Sequence, residues 1–254
     1  MSILAWAALA ATTFGAALLQ AAGGFGFAVV ATPLYLVIVP PATAVHLVII
    51  MATALSAVVL PRLRHAVEPG LLLRFLLGSV VGLPFGLLAF RHSDPRFVRA
   101  AAGAIVLGFA ALLALSRSGA RPATLFKATH NRDLAAGAVS GVATALVGMA
   151  GPPVLIYLLL AGAASQIIRA TLLAFFALVY AVTLAAHAAT IGVPVHTWLT
   201  SGILLPFAFI GGLVGRPLGD RLGANSFTLL AIGLLIIAGL FTLAQSSGLY
   251  SGGH

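Results

Sequence analysis

The chain has 254 residues, 61% of them hydrophobic and 7% charged, with a mean hydropathy of +1.17. No soluble domain of this size can hide that much apolar surface, so the composition predicts an all-α, polytopic integral membrane protein forming one membrane domain. The net charge of +9 comes from 13 Lys and Arg against 4 Asp and Glu. Most of these basic residues fall in short connections, where topology and anionic lipid account for them, and no basic soluble face exists for a nucleic acid. The absence of cysteine excludes disulfides, thiolate catalysis and Cys-ligated metals.

Apolar segments predict helices over 3–22, 27–39, 42–61, 70–90, 97–116, 134–148, 152–161, 166–191, 197–214 and 225–245. The first 22 residues lack the basic start of a signal peptide, so cleavage is not expected. Pro40 and Pro41 separate the second segment from the third. The longest polar connection, 117–133, divides the chain into a first repeat, 1–116, and a second, 134–254. Arg216, Asp220 and Arg221 mark a last connection over 214–224.

The run Gly137 to Tyr157 breaks at Gly148-Met149-Ala150-Gly151-Pro152-Pro153. Neither side of the break has the roughly 20 residues that a spanning helix needs. Two successive prolines end a helix before them but are tolerated in the first turn of the next, so a half-helix is expected from about Pro152. Residues 23–35 repeat the pattern weakly, with glycines, then a proline-led apolar stretch, then Tyr35. Paired breaks of this kind point to a transport site, because irregular backbone at membrane depth must be buried in protein or reached by water.

Each half thus reads as a broken pair followed by three long segments. Two topologies fit. If each broken pair crosses once, there are eight crossings and parallel halves, and the two sides carry six and four basic connection residues. If each pair is a re-entrant hairpin, there are six full crossings and inverted halves. Connections 62–69, 117–133 and 214–224 then share a side, with eight basic residues against Arg91 and Arg96. The positive-inside rule prefers the inverted arrangement, with 117–133 as a cytoplasmic linker and 191–196 outside.

All four acids, Glu68, Asp94, Asp133 and Asp220, lie in or beside connections. That argues against a carboxylate relay for Na⁺ or protons, and leaves His46, His187 or the substrate to carry any coupled proton. No hydrolytic or metal-binding spacing occurs, so no enzyme activity and no cofactor are expected. Arg169 begins a long apolar segment after the break. It reads either as an interfacial, snorkelling residue or as an arginine over the mouth of an anion pathway, where its planar fork suits oxyanions. His46 holds a comparable place in the first half, and reads either as a helix-start residue or as a ligand. Thr171, Thr144 and Gln20 read as helix–helix hydrogen bonds or as ligands. The breaks offer a further anion site: half-helices starting near Phe27 and Pro152 present free N–H groups and the positive dipole end. Gly24, Gly26, Gly148 and Gly151 would let a ligand approach that backbone, or would only permit close helix packing.

Gly23-Gly24-Phe25-Gly26 running to Pro33-Leu34 and Ala44, with Gly137, Gly141, Gly148-Met149-Ala150-Gly151-Pro152 and Arg169-Ala170-Thr171 in the second half, resembles the TauE/SafE family of sulfite exporters, also called toluene sulfonate uptake permeases. The chain departs from the family pattern where Phe25 and Phe27 interrupt the first glycine run, and at Met149-Ala150. The resemblance implies transport of sulfite, organosulfonates or related small organic anions in a bacterial inner membrane. Composition and spacing alone imply a transporter, with an anion as the expected substrate. The expected partners are that anion and the bilayer, with a homo-oligomer left open. A permease for another small solute and a non-transporting assembly protein remain the alternatives.

Overall fold

The computed structural model describes residues 1–23, 27–59, 67–117, 129–162 and 165–247. Among the described residues all regular structure is helical: α1 Ile3–Gly23, α2 Phe27–Ile38, α3 Pro41–Val59, α4 Pro69–His92, α5 Pro95–Arg117, α6 His130–Val147, α7 Gly151–Leu160, α8 Ser165–Thr190 and α9 Val195–Ser246. The punctuation is legible in the residues. Pro41, Pro69 and Pro95 each open a helix, where the missing N–H costs nothing. Gly148, Gly162 and Gly192, the glycines with positive φ among the described residues, follow the ends of α6, α7 and α8.

By length and apolarity, six described helices or helix portions can cross a membrane: α1, α3, α4, α5, most of α8, and 195–215 of α9. α2, α7 and 232–246 are shorter. α4 shows how such a helix faces two media. Leu73, Leu77, Val81, Phe85 and Leu88 are exposed along one stripe, as suits lipid. The opposite stripe carries Gly78, Gly82 and Gly86, which lie on the backbone of α6 at Leu134, Ala138 and Val142. α6 answers with Gly137 and Gly141 against Phe75 and Ser79. Apolar burial drives little association inside a bilayer, so this backbone-to-backbone approach is what small residues contribute. Residue numbers rise together across the contact, so α4 and α6 run parallel. α1 and the start of α9 also pack parallel, with Gly211 on Phe14 and Gly215 on Leu18. α3 packs on α8 in the centre.

α6 and α7 form an antiparallel hairpin. Ser140 faces Ala150 near the tip, and Tyr157 bonds Asp133 at the base. α1 and α2 do the same, with Gln20 on Phe27 near the tip and Thr13 on Tyr35 further back.

Two sequence expectations change. The connection expected over 214–224 is helical backbone, continuous through α9. Charges do not end a helix by themselves, Leu218 and Leu222 keep helical spacing, and no described residue there has the positive φ of a helix stop. The helix is nevertheless not straight. Straight, it would put Gly211 and Thr242 about 46 Å apart. Instead Gly211 lies on Phe14 of α1, while Thr242 Oγ1 donates weakly to the Pro33 carbonyl of α2, in the same hairpin. The C-terminal part packs antiparallel on α5, with Gly103 on Leu243 and Gly239 on Leu107. The two expected segments therefore survive as separate packing units. The second change concerns the 117–133 connection. α5 and α6 take in its two ends, Arg117 and His130 onward, and 118–128 lie outside the described residues.

Candidate functional site at the helix breaks

The α6–α7 break is built from backbone. Gly148 adopts φ +75°, and its N–H donates to the Thr144 carbonyl at 2.9 Å. This left-handed residue turns the chain, which a Cβ would strain. α7 begins at Gly151, with Pro152 and Pro153 in its first turn. Those prolines remove two of the four N–H groups that a helix start normally leaves free. The donor set expected at this terminus is therefore reduced, with Gly151 contributing the first N–H.

Three side chains hold the break in shape. Ser140 Oγ donates to the Ala150 carbonyl at 2.5 Å. Tyr180, on α8, accepts from the Ala150 N–H and donates to the Gly148 carbonyl, each at 3.2 Å. One phenol thus ties both sides of the break to α8. One turn earlier on the same face, the Phe176 ring covers Gly151: a Cβ built there would lie 3.1 Å from its Cζ. Phe176 and Tyr180 pack with ring centroids 6.0 Å apart.

His46 reaches this break from the other half of the chain. Its Nε2 lies 3.1 Å from His187 Nδ1, and His187 Nε2 lies 3.0 Å from the Ala145 carbonyl in the last turn of α6. Both rings are buried and pack on Phe90. Val45 and Val48 of α3 face Gly148 directly. His46, Gly148, Gly151 and Pro152 are thus gathered in one region. Thr171 is fully buried on α8, and its hydroxyl has no hydrogen-bond partner. Thr32 on α2 is in the same condition. Such hydroxyls each cost about 1–3 kcal/mol if nothing satisfies them.

The other expected site residues are placed differently. Gly24 and Gly26 lie outside the described residues. Arg169 lies in the second turn of α8, and its side chain is outside what the structure describes. Phe27 is buried, and its N–H donates to Gln20 Oε1 at 3.2 Å, so a side chain of the same hairpin already caps the α2 terminus. α2 and α7 barely touch, and no described hydrogen bond joins Phe27 to the second break.

Several participants have only a faint sequence signal. Phe176 and Tyr180 stand four residues apart, which places them on one helix face, but nothing local says that the face meets a break. Ser140 carries no hydrolytic pattern and serves instead as a clamp. Asp133 reads as a connection residue, yet it is buried. It accepts from Arg74 Nε at 2.7 Å and from the Tyr157 hydroxyl, fastening the base of the hairpin to α4. Outside the hairpin, Arg132, Ala136, Val139, Pro153, Tyr157 and Leu160 line an open apolar groove of about 420 Å³. Apart from Arg132 at one end, its lining is apolar.

The profile of one family, described as Sulfite exporter TauE/SafE, matches residues 9–242, from α1 to the last turns of α9. Searches of the curated proteins and of the solved structures found no match. The family profile covers nearly the whole chain, both broken hairpins and all the long helices included, and the chain accordingly belongs to the TauE/SafE sulfite exporter family.

Proposed function

We propose that the protein moves a small oxyanion, sulfite or an organosulfonate or a related small organic anion, across a bacterial inner membrane by alternating access. Membership of an exporter family for a sulfur anion gives the class. The observation that carries the reading further is the α6–α7 break: irregular backbone deep in an apolar helix bundle, clamped by Ser140 and Tyr180 and covered by one aromatic ring. Such backbone is tolerated at membrane depth where protein buries it or water reaches it, and a break in each half of the chain is the arrangement from which transport sites are built.

The two halves act as inverted repeats in this reading. The contacts support it by their exchange symmetry. If α1 to α5 correspond to α6, α7, α8 and the two parts of α9, then α4 on α6 corresponds to the start of α9 on α1. Both contacts are parallel and glycine-mediated. α3 on α8 maps onto itself. Tyr35 on Thr13 and Tyr157 on Asp133 are matching tyrosine locks within the two hairpins. Under this arrangement, the side holding the 117–133 linker carries Arg62, Arg64, Arg117, Arg121, Lys127 and Arg132, with Arg216 and Arg221 of mid-α9, against Arg91 and Arg96 opposite, and is read as the cytoplasmic side.

The anion binds near Gly151 and Pro152, and the first-half residues Gly24, Gly26 and Phe27 complete the site in this reading. Thr171 and Arg169 lie on α8 at the margin. Phe176 is the gate over Gly151 and swings away as one half rocks against the other. The test is anion affinity of purified, monodisperse variants. Wild type is expected to rise in melting temperature with sulfite or 4-toluenesulfonate but not with matched chloride. Arg169→Ala is expected to weaken binding roughly tenfold to a hundredfold, as loss of a charge-assisted hydrogen bond does, with Arg169→Lys intermediate. Wild-type affinity in Arg169→Ala would reduce Arg169 to a topology signal. Equal stabilisation by chloride and sulfite would sink the oxyanion site.

A further inference from the structure

The two histidines at the second break define each other's protonation. A carbonyl oxygen can only accept, so the 3.0 Å contact to Ala145 O puts a proton on His187 Nε2. In the neutral ring, His187 Nδ1 is then the acceptor. The 3.1 Å contact to it requires that His46 Nε2 carry the proton. His46 Nδ1 is left with a lone pair, and that atom is buried with no hydrogen-bond partner. The neutral network is therefore a directed chain, from an open basic nitrogen through two N–H bonds to a helix-end carbonyl.

We propose that His46 Nδ1 is the proton-binding site that couples anion movement to proton movement, with His187 positioning it. The proton adds to the Nδ1 lone pair, and no bond breaks. His46 becomes an imidazolium whose Nε2–H still donates to His187, and the single positive charge sits beside the break. Its charge matches that of one sulfonate, so a proton and a sulfonate can cross together without net charge, the proton leaving Nδ1 on the far side as the anion is released. Among the described side chains, none brings a competing charge to the two rings. α3 has no other titratable group; on α8 the Tyr180 phenol is committed to Gly148 and Ala150, and Arg169 stands about five helical turns before His187, its side chain outside the described residues. α4 contributes Phe90, followed by the exposed Arg91 and His92. α6 contributes a carbonyl, its acid Asp133 being held at the far end of the helix by Arg74 and Tyr157. His196, at the start of α9, is exposed.

This inference rests on the transport reading, so its test has one arm that needs no transport. In the purified protein without any added anion, histidine-selective ¹⁵N NMR is expected to show both rings as Nε2–H tautomers at high pH. As pH falls, the His46 signals should move to the imidazolium pattern. His46 signals that do not move between pH 8 and 5, or a His46 Nδ1–H tautomer, overturn the proposal whatever the protein transports. In proteoliposomes the probe is 4-toluenesulfonate, whose charge is constant over that range. An imposed pH gradient is expected to drive its accumulation by wild type. His46→Gln keeps an Nε2 donor for His187 but cannot take a proton. Measured relative to its own sulfonate counterflow, pH-driven accumulation by the variant should fall at least tenfold. Accumulation at the wild-type level in His46→Gln, or none driven by pH in a wild type that still shows counterflow, also overturns it.

Discussion

Tyr180→Phe is the sharpest probe of the clamped break. The substitution removes one oxygen and leaves the ring, so it opens almost no cavity. The lost hydroxyl accepts from the Ala150 N–H and donates to the Gly148 carbonyl, both at 3.2 Å. Both backbone groups are buried within the bundle. An orphaned buried polar group costs about 1–3 kcal/mol. The contacts are long for hydrogen bonds, and the Gly148 carbonyl has a second lone pair, so the low end applies to each. A total near 2 kcal/mol follows, about thirtyfold in a local opening equilibrium. The assay is amide hydrogen exchange resolved at residues 148–151 in detergent or nanodiscs, beside SDS unfolding of the whole protein. Exchange at Ala150 is expected to rise by about that factor, while α4 and α5 amides stay protected. Unchanged exchange at Ala150 with a folded variant would show that Tyr180 does not hold the break.

Four further outcomes follow from the packing and the topology. Arg74→Ala strands the buried Asp133 carboxylate, whereas Asp133→Asn removes the charge with its partner's need. The arginine variant should therefore lose more stability, by about 1–2 kcal/mol after allowing for solvent at a partly exposed Arg74. The reverse order in SDS unfolding would refute a buried ion pair. Gly82→Val would drive a side chain into the Ala138 carbonyl and should prevent a monodisperse fold. Gly108→Ala meets nothing within 4 Å and should be neutral or stabilising by up to about 1 kcal/mol, read from the unfolding midpoint. Single cysteines at His130 and His196, both exposed, in this cysteine-free chain should label from opposite membrane faces. Labelling from one face would end the inverted arrangement. Thr197, a nearby alternative, is fully buried and unsuitable.

The helices were legible because apolar run length and Gly/Pro punctuation are local signals. Most predicted boundaries for α3 to α8 fall within a few residues of the structure. The break at Gly148–Pro153 was legible for the same reason. What the sequence hides is anything set by distant partners. His46 and His187 are 141 residues apart, and nothing in either neighbourhood announces the other. Asp133 sits in a polar stretch, and only the packing of α6 against α4 and α7 buries it. The α9 error has the opposite cause: charged residues at 216–221 suggested an exit from the membrane, but charge is compatible with helix and no stop residue follows. The expectation of two open helix N-termini counted N–H groups without subtracting Pro152 and Pro153, or the Gln20 cap on Phe27.

Vectorial anion movement is the central claim. It is tested most directly by uptake of radiolabelled sulfite or 4-toluenesulfonate into proteoliposomes holding the purified protein, with Phe176→Ala beside wild type and protein-free vesicles as the baseline. Wild type should fill the vesicles by a saturable route that excess unlabelled sulfite or sulfonate blocks and chloride does not. Phe176→Ala should bind the anion but leak, because its gate over Gly151 is gone. Uptake by wild type no faster than by protein-free vesicles, from a folded and correctly inserted preparation and for both anions, would contradict the account.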